Sequence, residues 1–506
     1  MKPIKDKFIF LFHPHPAAEG LRMVPLALLS ISSLIEKEYD IRIFHSYDKE
    51  EYLEALGHLD KAVCVGITAL TGYQITDGLK FAKLVKGKNS KIPIVWGGVH
   101  ATISPRQTAE SPYVDVVVKG QGEETFAEVV RALDQNKPLD NILGIVYKKA
   151  GQVVENPNRP YKSINEFPAI PYHLLGDTIQ RYIKKNAYAD RNLTYMSSAG
   201  CPFRCRFCYL GNPIFSLAYD PYPADRVVRE LKNLAEKYQL TGVEIRDSNF
   251  FVNEDRCRGI FSGLIKEGVK LKLSVLNGRA SQFAKLDDDF WQLMKAGGAV
   301  HIEIGAESGD QEMLDYCDKK LLVKDIVDCE KKAKQFGIKI TNCFVTGYPI
   351  KEEYKADPQR QLRKELYATV DLIAELFKIT PAAEALLSFY TPYPGAYFYE
   401  ESLRAGFKAP QSLEGWGSIN LTTLKTPWVS SAHKRKVIFL RKLFLLKKLT
   451  SDEYFGEKTK SNKKLHWIKV LGLNKALSKF IDFRFRVKFF YFPVEELLFP
   501  LMKVLR

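Results

Sequence analysis

The stretch Ala199-Gly200-Cys201-Pro202-Phe203-Arg204-Cys205-Arg206-Phe207-Cys208-Tyr209-Leu210 decides how this 506-residue chain is read. Three thiols stand at C-x3-C-x2-C spacing directly after an apolar run, residues 193–196, that reads as a strand. Thiolates so placed on one loop can each take an iron of a single cubane cluster. The fourth iron then lacks a protein ligand and stays open to substrate or cofactor. A zinc site or unrelated core thiols are the alternatives. Structural zinc takes four protein ligands, and no fourth Cys or His lies nearby in sequence. The remaining thiols, Cys64, Cys257, Cys317, Cys329 and Cys343, have no metal-ligand spacing and read as small buried hydrophobes.

Downstream of the cysteine loop, apolar runs recur at 242–246, 272–276, 300–304, 341–345 and 385–390, with helical periodicity over 224–238, 288–296 and 323–336. This alternation predicts a partial (β/α)6 barrel with the cysteines at the carboxyl end of its first strand. Upstream, predicted strands over 7–12, 41–44, 62–67, 93–96 and 114–118 alternate with helical segments over 24–38, 77–84 and 124–133. That pattern is α/β, a doubly wound parallel sheet with helices on both faces. Ligands on such sheets sit at the carboxyl ends of strands, here the loops 13–20, 68–74, 97–102 and 119–125. Gly97, Gly98, Gly120 and Gly122 on those loops let a backbone approach a ligand closely. Between the two α/β series, residues 151–190 carry Pro157, Pro160, Pro168 and Pro171 and read as a linker with a short helix. The expected organisation is therefore 1–150, a linker 151–190, 191–400 and a basic, mainly helical region 401–506.

Composition excludes several classes. Hydrophobic residues at 46% and charged residues at 26% are globular values, not those of a disordered or collagen-like chain. The opening residues are charged and the first apolar run is too short for a secretory signal, so the expectation is a cytoplasmic protein. No run of 18 or more apolar residues reads as a spanning helix. The net charge of +16 is concentrated at the C-terminus, where residues 431–506 hold 19 Lys/Arg against 6 Asp/Glu. Residues 433–450 place Val437, Leu440 and Phe444 on one face among cations, and aromatics recur at Phe483, Phe485 and 489–492. Such a segment can lie peripherally on the inner face of an anionic membrane or cap the barrel with a solvated basic face. Nucleic acid is the weakest of the three partners.

Taken together, Cys201, Cys205 and Cys208 after the first strand of a partial barrel resemble the signature of the radical S-adenosylmethionine (SAM) superfamily. Ile302-Glu303-Ile304-Gly305-Ala306-Glu307-Ser308-Gly309 resembles its fifth-strand stretch, Phe344-Val345-Thr346-Gly347-Tyr348-Pro349 its next strand and turn, and Pro392-Tyr393-Pro394-Gly395 a late turn of one branch. That branch carries an N-terminal cobalamin-binding domain. Residues 95–102 and 118–125 are similar to the last two ligand-side loops of that domain. Two departures stand out. The D-x-H-x-x-G stretch that supplies an axial histidine in other cobalamin proteins is missing, as in many members of this branch. The usual Pro-Gly-Glu turn reads Pro349-Ile350-Lys351-Glu352, and an Asp-Asp after the second strand reads Asp247-Ser248-Asn249.

The resemblance implies a [4Fe-4S] cluster on Cys201, Cys205 and Cys208, SAM on the open iron, and cobalamin between the N-terminal sheet and the barrel mouth. Phe203 and Phe207 are then expected to shield the cluster. Glu307 and Gly305 are the expected SAM contacts, with Glu244, Arg246, Asp247, Asn277 and Arg279 as further candidates. For cobalamin the expected contacts are Gly97, Gly98, His100, Thr102, Gly120, Gly122 and Glu123. His13 and His15 receive no catalytic role. The implied activity is methylation of an unactivated carbon of a small-molecule or lipid-like substrate, with an electron donor such as flavodoxin or ferredoxin. Oxidative cyclisation or rearrangement without methyl transfer is the runner-up, and a non-catalytic iron–sulfur protein the remaining class. A methylthiotransferase acting on transfer RNA would need three more N-terminal cysteines, and only Cys64 is there.

Overall fold

The computed structural model describes residues 7–15, 22–215, 219–419, 426–454 and 472–490. The expected apolar stretch after Phe490 and part of the first loop, 16–20, lie outside the described residues.

Five parallel strands, β1 (Phe8–His13), β2 (Asp40–His45), β3 (Ala62–Thr68), β4 (Ile94–Gly97) and β5 (Val116–Val118), form the N-terminal sheet in the order 2-1-3-4-5. β1 is buried on both faces, as its unbroken apolar run FIFLFH requires. One face packs on the helices Leu26–Ser32 and Glu123–Asp134, the other on the helix Tyr73–Lys88. The sheet is therefore doubly wound. Two details differ from expectation. The regular helix after the first loop ends at Ser32 instead of 38. The sheet also continues antiparallel through β6 (Ile145–Lys149) and β7 (Gln152–Glu155), so residue 150 is no boundary. Ala150 and Gly151, with φ of 50° and 81°, make a two-residue turn with both φ positive, whose twist matches the flanking strands.

The second unit holds β8 (Asn192–Tyr195), the short antiparallel pair β9 (Ser198–Ala199) and β10 (Asp220–Pro221), then β11 (Gly242–Ile245), β12 (Lys272–Ser274), β13 (Leu276–Gly278), β14 (His301–Glu307), β15 (Lys339–Thr346) and β16 (Glu384–Phe389). All its long strands pair in parallel, 8-11-12 and 13-14-15-16. The expected third strand, 272–276, is broken at Val275, whose φ is 58°. β12 pairs back to β11 and β13 forward to β14, so the break turns the corner of a partial barrel. Buried His301 supports that corner. Its Nδ1 accepts from the Val275 N–H at 3.2 Å while Nε2 meets Thr341 Oγ1 at 2.8 Å.

The C-terminal region closes on both units. The helix Ser431–Leu449 buries Val437, Leu440, Leu443 and Phe444 against the barrel. Of the two readings of residues 433–450, the packing of this apolar face is that of a barrel cap. Leu413, Trp416 and Ile419 instead join the core of the N-terminal sheet. Trp416 Nε1 donates to Gln107 Oε1 at 2.6 Å, and Gln107 Nε2 donates to the Pro410 carbonyl at 3.0 Å. Among the described residues no helix is long and apolar enough to cross a membrane.

Candidate functional site

The cysteine loop is anchored from below. Asp247, fully buried, accepts from Ser197 N at 2.6 Å, Ser197 Oγ at 2.5 Å and Ser198 Oγ at 2.7 Å. Arg256 donates to the carbonyls of Tyr222 (2.7 Å) and Ser197 (3.0 Å). Together they fix the chain where β8 gives way to the loop, and Gly200, at φ 75°, starts the turn into Cys201. Asp247 thus anchors the cysteine loop from inside the barrel wall, with both carboxylate oxygens accepting hydrogen bonds. Asn277 Nδ2 donates to its carbonyl at 2.7 Å. Glu244 pairs with Arg246 at 2.8 Å and accepts from Asn186 at 3.2 Å; no described contact joins it to the cysteine loop.

Above this floor the expected residues converge. Arg279 donates to Cys205 Sγ at 3.5 Å and lies 4.0 Å over the Phe203 ring, with its Nη2 buried and unpartnered. Glu307, at the end of β14 with φ 60°, pairs with Lys319 at 2.7 Å. Both side chains are buried. A Cβ on Gly305 would meet Glu307 Oε1 at 2.3 Å and the Lys319 ammonium at 2.6 Å, so only glycine leaves room for the pair. Burial opposes the Lys319 charge, but Glu307 and the Cys205 thiol beside it hold its pKa above the ordinary value. Phe207 packs on Tyr348 and lies 5.7 Å from the Lys319 ammonium. Sequence reasoning missed Lys319, since Lys319-Lys320 reads as two solvated lysines.

The donor set fits an iron–sulfur cluster. Three soft thiols share one loop, and burial pushes the Cys208 thiol up to about 11 and raises Cys201, so these thiols lose protons on binding metal. Arg279 and Lys319 supply cations beside the negative charge of a thiolate-ligated cluster. Among the described residues no three His, Cys, Asp or Glu side chains converge on one metal position. Thiolates that each take a different iron of a cubane need not converge. The other five cysteines are buried or half-buried and free.

On the N-terminal sheet the candidate loops lie at the carboxyl ends of β3, β4 and β5. Gly98 has φ 89°, and a Cβ there would strike Thr68 Oγ1 at 2.6 Å, so the loop after β4 closes tightly on the loop after β3. Buried Thr102 donates from Oγ1 to the Gly98 carbonyl at 2.9 Å and accepts from Gly120 N at 3.1 Å. It binds the two glycine loops together. Glu123, following Gly122 at the start of its helix, accepts from Ser30 Oγ at 2.6 Å. His100 is buried, with Nδ1 at 2.9 Å from Thr71 Oγ1, its ring 5.6 Å from Trp416, and Nε2 without a partner. Burial drops its pKa to about 4, so it is neutral. The open cradle at Gly97 and Gly120 and the orphaned His100 nitrogen suit a large ligand rich in amides. Gly120 also meets the other unit: Ile214, on the turn that follows the cysteines, stands 3.8 Å from where its Cβ would be. The two ligand edges therefore face one another.

Known proteins share this arrangement. The B12 binding domain family matches residues 18–130, and the Radical SAM superfamily matches residues 195–358. The chain carries a B12-binding domain followed by a radical SAM domain. An uncharacterized methyltransferase of Pyrococcus horikoshii is 29% identical over 75% of this chain and 78% of its own length. The anaerobic magnesium-protoporphyrin IX monomethyl ester cyclase of Rubrivivax gelatinosus is 26% identical over 67% and 58%. The radical SAM methyltransferase TsrM of Kitasatospora setae, solved with cobalamin and a [4Fe-4S] cluster, superposes with a TM-score of 0.61 at 15% identity, covering 85% of this chain and 80% of that one. That likeness concerns the fold. The cofactors implied by the two domains are a [4Fe-4S] cluster, SAM and cobalamin.

Proposed function

We propose that this enzyme methylates an unactivated carbon of a small-molecule or lipid-like substrate through a 5′-deoxyadenosyl radical and methylcobalamin. One observation carries the reading: the carboxyl edge of the B12-binding sheet, at Gly120, abuts Ile214 on the turn after the cysteines. When bound, the cluster and SAM supply the hydrogen-abstracting radical and methylcobalamin supplies the methyl group. Cys201, Cys205 and Cys208 hold the irons, while Arg279 and Lys319 balance their charge. Asp247 and Arg256 keep the loop in place. Glu307 and Gly305 take SAM at the barrel mouth. Gly97, Gly98, Gly120 and Gly122 bring backbone close to cobalamin, and the unpartnered His100 Nε2 is the buried polar atom left to meet it. Glu123 stands at the rim of that cradle. A low-potential donor such as flavodoxin or ferredoxin provides the electron. We place the enzyme in the cytoplasm, with peripheral contact on the inner membrane face through its C-terminal region. The likeness to a cyclase supports a second reading, oxidative ring formation without methyl transfer.

Anaerobic reconstitution with iron, sulfide and hydroxocobalamin, followed by desalting, is expected to leave about four irons and about one cobalt per chain. Reduction with SAM is then expected to release 5′-deoxyadenosine. Iron without cobalt would remove the methyl donor and leave the second reading. No SAM cleavage with a full cluster would overturn both.

A further inference from the structure

Away from the cofactor sites, one barrel helix and two C-terminal helices border an open, lysine-bearing cavity. A space of about 420 Å³ opens between the helices Pro358–Ile379, Ser431–Leu449 and Leu473–Val487. Lys378, Lys447, Lys475 and Lys479 line it with the hydroxyls of Ser451 and Ser478, against two acids, Asp452 and Asp482. Lys447 is buried and committed, pairing with Asp482 at 2.6 Å and donating to Ser478 Oγ at 2.7 Å. Lys475 stands 3.8 Å from Asp452. Lys378 and Lys479 are exposed and form no ion pair among the described residues. The cavity therefore has cations to offer an anion.

The helix Leu473–Val487 has three faces when its residues are laid out at 3.6 per turn. Ile481, Arg484 and Phe485 are buried, with Phe485 against Phe377 and Phe444. Lys475, Ser478, Lys479 and Asp482 share the cavity face. Phe480, Phe483 and Val487 fall on the third face and are 40, 48 and 45% exposed. Arg484 lies 5.0 Å over the Phe480 ring and Arg486 5.8 Å over the Phe483 ring, and among the described residues neither ring joins the buried core. An exposed apolar stripe beside cations suits the boundary between headgroups and acyl chains, and an apolar patch rimmed by polar residues marks an interaction site.

We propose that this corner of the molecule binds an anionic phospholipid bilayer, with a headgroup phosphate in the lysine-lined cavity and Phe480, Phe483 and Val487 at the acyl boundary. Charge complementarity favours this partner: residues 431–506 carry +13, and the stripe adjoins the cavity on one helix. The helix Ser431–Leu449 is not the anchor, because its apolar side is already covered by the barrel. The proposal deepens the membrane contact named above and is independent of cluster and cobalamin.

The test is flotation of the full-length protein with vesicles of phosphatidylcholine alone and of phosphatidylcholine mixed with phosphatidylglycerol. Binding to the mixed vesicles and not to the neutral ones is expected. Each Lys near an anionic surface is worth about fivefold in partition, so Lys378→Gln with Lys479→Gln is expected to weaken binding roughly 25-fold. Phe480→Ser with Phe483→Ser should weaken it by roughly tenfold. All four side chains are exposed, and both variants should retain wild-type iron and cobalt contents. Equal flotation of wild type and both variants would overturn the proposal, as would no flotation at all. Saturable binding of inorganic phosphate without any flotation would overturn it too, by making free phosphate the ligand; binding of RNA without vesicles would do the same for a nucleic-acid partner. Failure to load cobalt would sink the methyl-transfer reading and leave flotation unchanged.

Discussion

Mild acid should open the B12-binding unit before the barrel. Burial lowers the pKa of His13 and His100 to about 4 and of His45 to about 2. All three lie in the N-terminal unit, His13 and His45 edge to face with ring centroids 5.0 Å apart. A histidine whose native pKa lies below its unfolded value of about 6.5 gives full stability above 6.5 and loses it as pH falls toward the native value. Between pH 7 and pH 5 the loss is about 2 kcal/mol per histidine, hence roughly 6 kcal/mol for the three. That is a large part of the 5–15 kcal/mol typical of a folded domain. His301 and His433, also lowered to about 4, apply the same pull to the barrel side. There Glu365 opposes them. Buried on the helix Pro358–Ile379 with its pKa pushed up to about 8, it is a raised carboxyl. Its effect runs the other way: between about pH 4.5 and 8 stability rises as pH falls, by about 2–3 kcal/mol from pH 7 to 5. The barrel side therefore loses about 1–2 kcal/mol net, against roughly 6 kcal/mol for the N-terminal sheet. Hydrogen exchange at pH 7 and pH 5, corrected for intrinsic rates, reads this directly. Amides of β1–β4 should lose far more protection at pH 5 than those of β14 and β15. Equal loss in both sheets, or no loss, would refute the burial argument.

Other expectations concern the cofactor floor. Gly305→Ala puts a methyl within 2.3 Å of Glu307 Oε1 and displaces the Glu307–Lys319 pair; 5′-deoxyadenosine formation should fall by about 10² with iron retained. Glu307→Gln leaves the buried Lys319 ammonium without its partner, and a loss of about 3–5 kcal/mol should appear in thermal unfolding. Asp247→Ala removes three hydrogen bonds beneath the cysteine loop. Iron per chain should drop after reconstitution while far-UV circular dichroism stays unchanged. Gly98→Ala, strained by φ 89° and by contact with Thr68, should lower cobalt retention and leave iron content as it was.

Much of this architecture was legible in the linear chain where local signals and periodicity agree. The helices Ala224–Tyr238, Asp288–Ala296 and Val323–Phe336 begin and end where the apolar pattern put them. Asp287 caps Phe290 N at 2.7 Å, and Gln239 and Gly337 close two of them in left-handed conformations. The cysteine spacing carried the cluster loop on its own. What escaped depended on contacts distant in sequence. Asp247 reads as a strand-end acid, and only the position of Ser197, fifty residues earlier, turns it into an anchor. Lys319 is a residue type found on surfaces and is buried here by a single carboxylate. The hairpin β6–β7 turns on Ala150-Gly151, without the Asn-Gly or Asp-Gly pair that announces such turns. The cationic helix Ser431–Leu449 has one periodicity for two destinations, barrel or bilayer, and only tertiary packing chooses between them.

Trp416 and its neighbours bear on how the polypeptide is made. The N-terminal sheet lacks Leu413, Trp416 and Ile419 until about four fifths of the chain has left the ribosome. Domains commonly fold as units during synthesis, the N-terminal one first. Here the first domain would wait, its face by Gln107 and His100 uncovered, while the whole barrel is translated. Order of synthesis and order of completion are thus reversed. A fragment ending with the barrel would hold every B12-side loop residue yet expose the surface that Trp416 covers, so the two cofactor units cannot be exchanged between relatives at residue 190 without carrying the distant segment along.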